Sequence, residues 1–329
     1  MVIVQDRFGR NIIYLRIAIT DRCNLRCRYC TPQEERERYS LSSLLSAEQI
    51  VRFVQASAKL GIRKVRITGG EPLMRRDLPS LIAGIAATSE IDDIALTTNG
   101  ILFADQAKAL KEAGLKRVNF SLDSLTPDTF SYITRGGCLE DVRRSIDKAL
   151  ELQLHPVKLN VVVMRGINDR EIGGFARLAV GLPLHIRFIE LMPVGGLDFF
   201  EKGRLMVMDD IKSEVQKYVG LEPYTPMTGN GPAKYYRIKE GQGTIGFISA
   251  MSCHFCPRCN RIRMTADGKL RSCLTESKEV DVRAALQNGA SDQELRTLIG
   301  QAILAKPQNH RLKEGWGAGN SRIMSEIGG

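Results

Sequence analysis

Short runs rich in β-branched residues recur through about the first 215 residues, at 14–19, 64–68, 94–98, 117–122, 157–163 and 185–191. Amphipathic stretches with readable ends lie between them. Ser46-Ala47-Glu48-Gln49 has the form of a capping box, and Gly61 can close the helix it opens. Residues 103–113 stop at Gly114, and residues 139–154 stop near Pro156. Six strand–helix units in series predict an α/β fold with a parallel sheet and right-handed crossovers. A full barrel needs eight units, so the expectation is a partial, open TIM-type barrel over residues 1–215. Residues 216–329 then form a C-terminal extension. In it 222–234, rich in Pro, Gly and Thr, reads as a loop or linker, 235–238 and 243–248 read as strands, and the end reads as a polar helical tail.

In parallel α/β folds the chemistry gathers past the C-terminal ends of the strands. The first such place holds Cys23-Asn24-Leu25-Arg26-Cys27-Arg28-Tyr29-Cys30, three thiols that one short loop can turn to a common side. Thiolate is a soft ligand, which favours zinc or an iron–sulfur cluster over magnesium or calcium. A structural zinc closes four ligands, whereas three cysteines on a four-iron cube leave one iron open. After the second strand comes Gly69-Gly70-Glu71-Pro72, where paired glycines either make a tight turn or let the backbone approach a ligand. A second set, Cys256, Cys259 and Cys273, has spacing that suits a zinc ribbon closed by Cys253 as well as it suits iron–sulfur. Arg261 and Arg263 follow it and, if extended, leave one face of a strand, where guanidinium forks can grip phosphate or a base edge. Cys138 has no partner in sequence and reads as a buried small hydrophobe.

Lys and Arg outnumber Asp and Glu 47 to 37, a net charge of +10 that favours an anionic partner without choosing one. Arg16, Arg66, Lys158 and Arg187 fall inside predicted strands, where an unpaired charge is costly, so a shared cavity accounts for them better than a solvated surface does. No apolar run reaches membrane-spanning length, so no transmembrane helix and no membrane partner are expected. The first ten residues lack an apolar signal region, so secretion is not expected. Eight cysteines, six of them in two groups, point to metal ligation in a reducing, cytoplasmic setting. A zinc-ribbon protein that binds nucleic acid would pair its basic stripe with exposed aromatics. Aromatics make up only 6%, against that class. The four histidines are scattered, with no histidine–carboxylate constellation.

At the cysteine loop and the Gly69-Gly70 turn the chain resembles the radical S-adenosylmethionine (SAM) superfamily. That resemblance implies a [4Fe–4S] cluster on Cys23, Cys27 and Cys30 whose open iron chelates SAM and whose electron splits it into methionine and a 5'-deoxyadenosyl radical. It implies that Tyr29, Gly70, Ser121 and Met192 line SAM, although a gap-filling core role is the competing account of Met192. Both cysteine groups, residues 255–274, Asp6-Arg7-Phe8-Gly9-Arg10 and the terminal Gly328-Gly329 together resemble one family within it, the GTP 3',8-cyclases of molybdenum cofactor biosynthesis. The family implies a second [4Fe–4S] cluster on Cys256, Cys259 and Cys273 that receives the guanine of GTP. Arg16, Lys64, Arg66, Thr97, Lys158, Arg187, Arg261, Ile262 and Arg263 fall where the family contacts GTP. Arg16, Arg261, Arg263, Gly328 and Gly329 fall where it needs residues for turnover. Thr31 stands where many relatives have Met, and Cys253 is an additional thiol that would block the open iron if it ligated the cluster. A downstream cyclic pyranopterin monophosphate synthase is the implied protein partner, and a homodimer is left open. Another radical SAM enzyme with an auxiliary cluster, such as one that matures a peptide, is the alternative.

Overall fold

A computed structural model describes residues 4–32, 39–194, 199–200, 202–225, 231–253, 255–310 and 322–328. The six expected strands form within one residue of the anticipated ends: β1 (Tyr14–Ala18), β2 (Lys64–Thr68), β3 (Asp93–Thr98), β4 (Arg117–Ser121), β5 (Val157–Val163) and β6 (Leu184–Glu190). They lie side by side in chain order, all parallel. Among the described residues six more follow: β7 (Leu221–Tyr224), β8 (Lys234–Ile238), β9 (Thr244–Ile248), β10 (Arg261–Met264), β11 (Lys269–Arg271) and β12 (Val280–Asp281).

These later strands extend the same sheet at both edges. β9 adds parallel to β6, and β10 adds parallel to β1. Antiparallel ribbons then finish each edge, β11 and β12 beyond β10, β8 and β7 beyond β9. The sheet runs from β12 to β7 without its edges pairing, an open barrel. Residues 222–224, expected as part of a loop, instead belong to β7, the outermost strand at one edge. Pro223 is tolerated there because an edge strand need not donate on its free side.

The helices α1 (Ala47–Ala58), α2 (Leu78–Ala86), α3 (Phe103–Glu112), α4 (Pro127–Thr134), α5 (Leu139–Glu151), α6 (Ile172–Gly181) and α7 (Met208–Gln216) connect the strands. They are followed by α8 (Val282–Gln287), α9 (Asp292–Leu304) and the single turn α10 (Met324–Ile327). Ser46 and Gln49 do form the capping box at α1. The core lies between the outer face of the sheet and these helices. Leu15, Ile17, Ile67, Leu96, Phe120, Leu159 and Phe188 meet Phe53, Leu81, Phe103, Val142 and Phe175 there. Each such buried side chain contributes about 1.5–3 kcal/mol. Parallel strands usually carry apolar residues on both faces. Here the alternate positions, such as Arg16, Arg66, Asn119, Lys158 and Arg187, are polar, so the inner face encloses a polar cavity rather than a second core.

Candidate active site

The cysteine loop leaves the C-terminal end of β1 and is held by backbone on three sides. Cys30 N and Thr31 N both donate to Cys27 O at 2.9 Å, closing the turn. Arg26 N and Arg28 N donate to the carbonyls of Thr134 and Ile133 at the end of α4. Gly70 N donates to Thr20 O, and Glu71 N to Arg22 O, both at 2.7 Å. A Cβ on Gly70 would lie 2.3 Å from the Arg22 carbonyl oxygen, and one on Gly69 2.5 Å from the Thr20 oxygen. The glycine pair therefore clamps the cysteine loop, a close approach of backbone to backbone. Gly70→Ala is expected to destabilise the fold by about 3 kcal/mol, the upper end for overpacking because backbone must move. Chemical denaturation reads this, and an unchanged midpoint would mean that the two loops can part freely.

Glu71 is fully buried and accepts from Leu73 N (3.1 Å), Thr98 Oγ1 (2.8 Å) and Asn99 N (2.7 Å). Burial raises its carboxyl to about 7 in spite of those donors. Asn99 in turn reaches Asn24 Oδ1 at 2.8 Å and Cys23 Sγ at 3.8 Å. The glutamate thus ties the β2 and β3 loops to the first thiol. Tyr29 donates its hydroxyl to Asp123 at 2.6 Å, and Asp123 also accepts from Val162 N. All eight cysteines are free thiols. Burial pushes Cys23 up to about 12, with Glu71 and Cys30 adding to it, and burial raises Cys27 well above the usual thiol range, with Cys30, Asp123 and Cys23 adding to it. Three half-buried thiols that act on one another electrostatically fit a soft, cationic metal cluster, which compensates the charge that burial alone would penalise.

Strand register assembles the cavity. Across β10, β1 and β2, Arg263, Arg16 and Arg66 stand side by side, and Arg261, Tyr14 and Lys64 form the adjacent row. Further round, Thr97, Asn119, Lys158 and His185 share a row, as do Asn160, Arg187 and Gly246. Arg66 donates to Thr97 Oγ1 at 3.1 Å and to the Tyr14 hydroxyl. Asp93 pairs with Arg117. Among the described residues no ion pair neutralises Arg66, Lys158, Arg187, Arg261 or Arg263. The Nε of Arg187 and the Oδ1 atoms of Asn119, Asn160 and Asn260 are buried without a hydrogen-bond partner. Orphaned donors and acceptors beside uncompensated cations are what an anionic, hydrogen-bonding ligand would satisfy.

Burial, followed by Arg187, Arg117 and Arg66, pulls the Lys158 ammonium down to about 6. Before an anion binds, this amine is therefore largely neutral at pH 8. A bound polyanion favours the charged form, so binding takes up a proton, and affinity falls as pH rises through the bound-state pKa. Calorimetry at pH 8 in buffers of different ionisation enthalpy should show this uptake in the wild type and lose it in Lys158→Met. Equal buffer dependence in both would remove Lys158 from the linkage.

The second triad sits at the other end of the same cavity. Cys256 and Cys259 precede β10, which runs parallel to β1, while Cys273 follows β11, which runs antiparallel to β10. The strand length between the two triads is on the order of 16 Å at about 3.3 Å per residue. Strand ends of one polarity were the expected place for chemistry; these thiols lie at the opposite end, because Cys256 and Cys259 lead into β10 and Cys273 leaves the antiparallel β11. Burial raises Cys256, aided by Cys273 and Cys259. Burial would also raise Cys259, but Arg261 and Lys306 bring it down to about 7. Cys253 is exposed. Among the described residues no three His, Cys, Asp or Glu draw in tightly enough to hold a single ion.

The C-terminal turn enters between the triads. Arg263 Nη1 donates to Gly328 O at 2.9 Å, and Ala266 N to Glu326 O at 3.1 Å. Gly328 has φ of 78°, and a Cβ there would meet Thr68 Cγ2 at 2.5 Å and Ala18 Cβ at 3.1 Å. Arg322 anchors the turn by paired contacts to Asp267 and Glu279 and a bond to the Tyr39 hydroxyl. Gly329 lies outside the described residues. Ile262 points the other way from Arg261 and Arg263, into the core, so only its backbone faces the cavity. Ser121, half-buried, ends β4 opposite Asn160. Met192 packs with Val194 and Ile327 in a small apolar cluster. Cys138, expected to be buried, is exposed, because it caps α5 ahead of the apolar stripe that begins at Leu139. Sequence singles out Asn160 with Lys158 on the fifth strand; Tyr14, Asn119 and the Asp93–Arg117 pair were not singled out. Their signal was polar residues two apart in otherwise apolar strands.

The comparisons agree with this architecture. A profile of the Radical SAM superfamily matches residues 17–179, and one for Molybdenum Cofactor Synthesis C matches residues 184–312. Among solved structures, Streptococcus suis SuiB bound to precursor peptide superposes with TM-score 0.60 at 15% identity, covering 92% of this chain and 67% of that chain. SuiB bound to S-adenosylmethionine gives TM-score 0.56 at 14%, covering 83% of this chain and 61% of that chain. At such identity the likeness speaks for the fold. An open parallel barrel with a three-cysteine loop past its first strand defines a radical SAM protein. A curated relative in Syntrophomonas wolfei, named GTP 3',8-cyclase, is 55% identical over 98% of this chain and 99% of its own length. One of the same name in Desulforamulus reducens is 54% identical over 98% and 99%. The chain belongs to the GTP 3',8-cyclase family.

Proposed function

We propose that the chain converts GTP to 3',8-cyclo-7,8-dihydro-GTP, the first step of molybdenum cofactor biosynthesis. One observation carries the substrate reading: a cavity lined by Arg16, Arg66, Lys158, Arg187, Arg261 and Arg263 lies between two thiol triads at opposite strand ends. A [4Fe–4S] cluster on Cys23, Cys27 and Cys30 supplies, when bound, the electron for reductive cleavage of SAM. Gly70, Tyr29, Ser121 and Met192 border that end, with Tyr29 held by Asp123. Cys256, Cys259 and Cys273 are assigned a second cluster that takes the base.

The cations hold the triphosphate in one register, so that the 3' carbon faces the SAM end and guanine faces the second triad. Arg66 carries Thr97 with it, and Lys64 extends the row at the mouth. Arg263 holds the C-terminal turn, and Gly328 narrows the cavity between the triads and excludes water. Residues 1–215 are assigned the radical-generating half, and residues 216–329 the base-binding half, although strands from both share one sheet. The product is assigned to a downstream synthase, and the cytoplasm is the compartment that keeps eight thiols free. A peptide-maturing relative would need a wide cleft poor in cations.

Anaerobic reconstitution with iron and sulfide, followed by SAM, a reductant and each nucleoside triphosphate in turn, tests the assignment. GTP alone should give a cyclised nucleotide with one 5'-deoxyadenosine per turnover. Equal turnover of ATP, or none with GTP, would overturn it.

A further inference from the structure

Arg10 and Lys306 lie outside the anion cavity, yet both are buried, 8% and 3% exposed, and both end at the second thiol triad. Asp6 accepts from Phe8 N at 2.9 Å and Arg10 N at 3.0 Å, with Gly9 at φ 73°, so Asp6-Arg7-Phe8-Gly9-Arg10 is a compact turn. The turn aims the Arg10 guanidinium inward. Its Nε bonds Asp6 at 2.5 Å, its Nη1 bonds the Cys256 carbonyl at 2.8 Å, and its Nη2 bonds the Pro307 carbonyl at 2.7 Å. The neighbouring Lys306 Nζ donates to Arg261 O at 2.8 Å and to Ser272 O at 2.7 Å. Its charge also acts on Cys259, whose thiol pKa it helps to lower. Arg261 lies two residues past Cys259, and Ser272 immediately precedes Cys273. Each of the three thiols is thus fixed through its own or a nearby backbone carbonyl.

A neutral donor could bridge the two carbonyls. A buried ammonium is the more expensive choice, and among the described residues it is matched here by two carbonyls rather than by a carboxylate. We propose that Lys306 is a positioning residue for the second cluster. It sets the separation of Cys259 and Cys273 through the Arg261 and Ser272 carbonyls, and its charge beside the Cys259 sulfur makes that cluster easier to reduce. Arg10 fixes Cys256 against the same segment. Reduction adds negative charge, which a fixed neighbouring cation stabilises, and hydrogen bonds to ligand sulfur act in the same direction. This inference rests on reading Cys256, Cys259 and Cys273 as a cluster site.

The test uses the full chain with Cys23→Ala, Cys27→Ala and Cys30→Ala, so that only the second triad can bind iron. Iron content and a redox titration followed by electron paramagnetic resonance are compared in that parent and with Lys306→Gln or Lys306→Arg added. Gln keeps a donor for a carbonyl and removes the charge. The midpoint potential should fall and the spectrum should change in Lys306→Gln, with Lys306→Arg returning the potential toward the parent. Loss of iron from Lys306→Gln with an unchanged circular dichroism melt would also support the assignment. Parent-level iron, potential and spectrum in Lys306→Gln would overturn the role of Lys306 alone. A parent that binds no iron would overturn the cluster reading, and the inference with it.

Discussion

Cys27→Ala should reduce 5'-deoxyadenosine formation to background and leave about half of the iron. Cys27 is the centre of its loop: its carbonyl receives Cys30 N and Thr31 N, and its buried thiol lies within electrostatic reach of Cys23 and Cys30. Two thiols cannot hold a cube that already leaves one iron for SAM. Asn99 and Glu71, which support the loop from the β3 side, offer an amide and a hydrogen-bonded carboxylate in place of a third soft ligand. Cys256→Ala should do the converse, keeping SAM cleavage while cyclised product disappears. Deoxyadenosine formation that survives Cys27→Ala would dismiss the first triad as the radical source.

Arg263→Ala is expected to lower cyclisation about 10²–10³-fold, the usual cost of one aligned electrostatic donor, while SAM cleavage continues. Burial and Arg261 hold this guanidinium down to about 10, so it remains charged at neutral pH. It stands beside Arg16 in the register of β10 and β1, and it also grips the Gly328 carbonyl. Gly328→Val separates the two roles, since its side chain would collide with Thr68 and Ala18 while leaving the cation in place. Equal losses in both variants assign the effect to the tail. A much larger loss in Arg263→Ala assigns it to the nucleotide. Cyclisation within about threefold of wild type in Arg263→Ala, well below the cost of a lost donor, would exclude Arg263 from the site.

Local pattern alone determined much of this molecule. The β1 to β6 strands, the Ser46 capping box, both thiol triads and the cations on alternate strand positions were legible because each depends on periodicity or spacing within a few residues. Alternation states which side chains share a face, and so it placed Arg261 and Arg263 together; that Ile262 turns into the core was found only in the structure. It carries no information about which strand lies beside which. Only the tertiary structure decided that β10 runs parallel to β1, which puts the later thiols at the far end of the cavity. The same holds for β9 on β6, for Gly328 between Ala18 and Thr68, and for Arg10 and Lys306 meeting at the second triad. Those pairs join segments far apart in the chain, and their contacts arise from sheet register and packing, for which no short window of sequence has a signal.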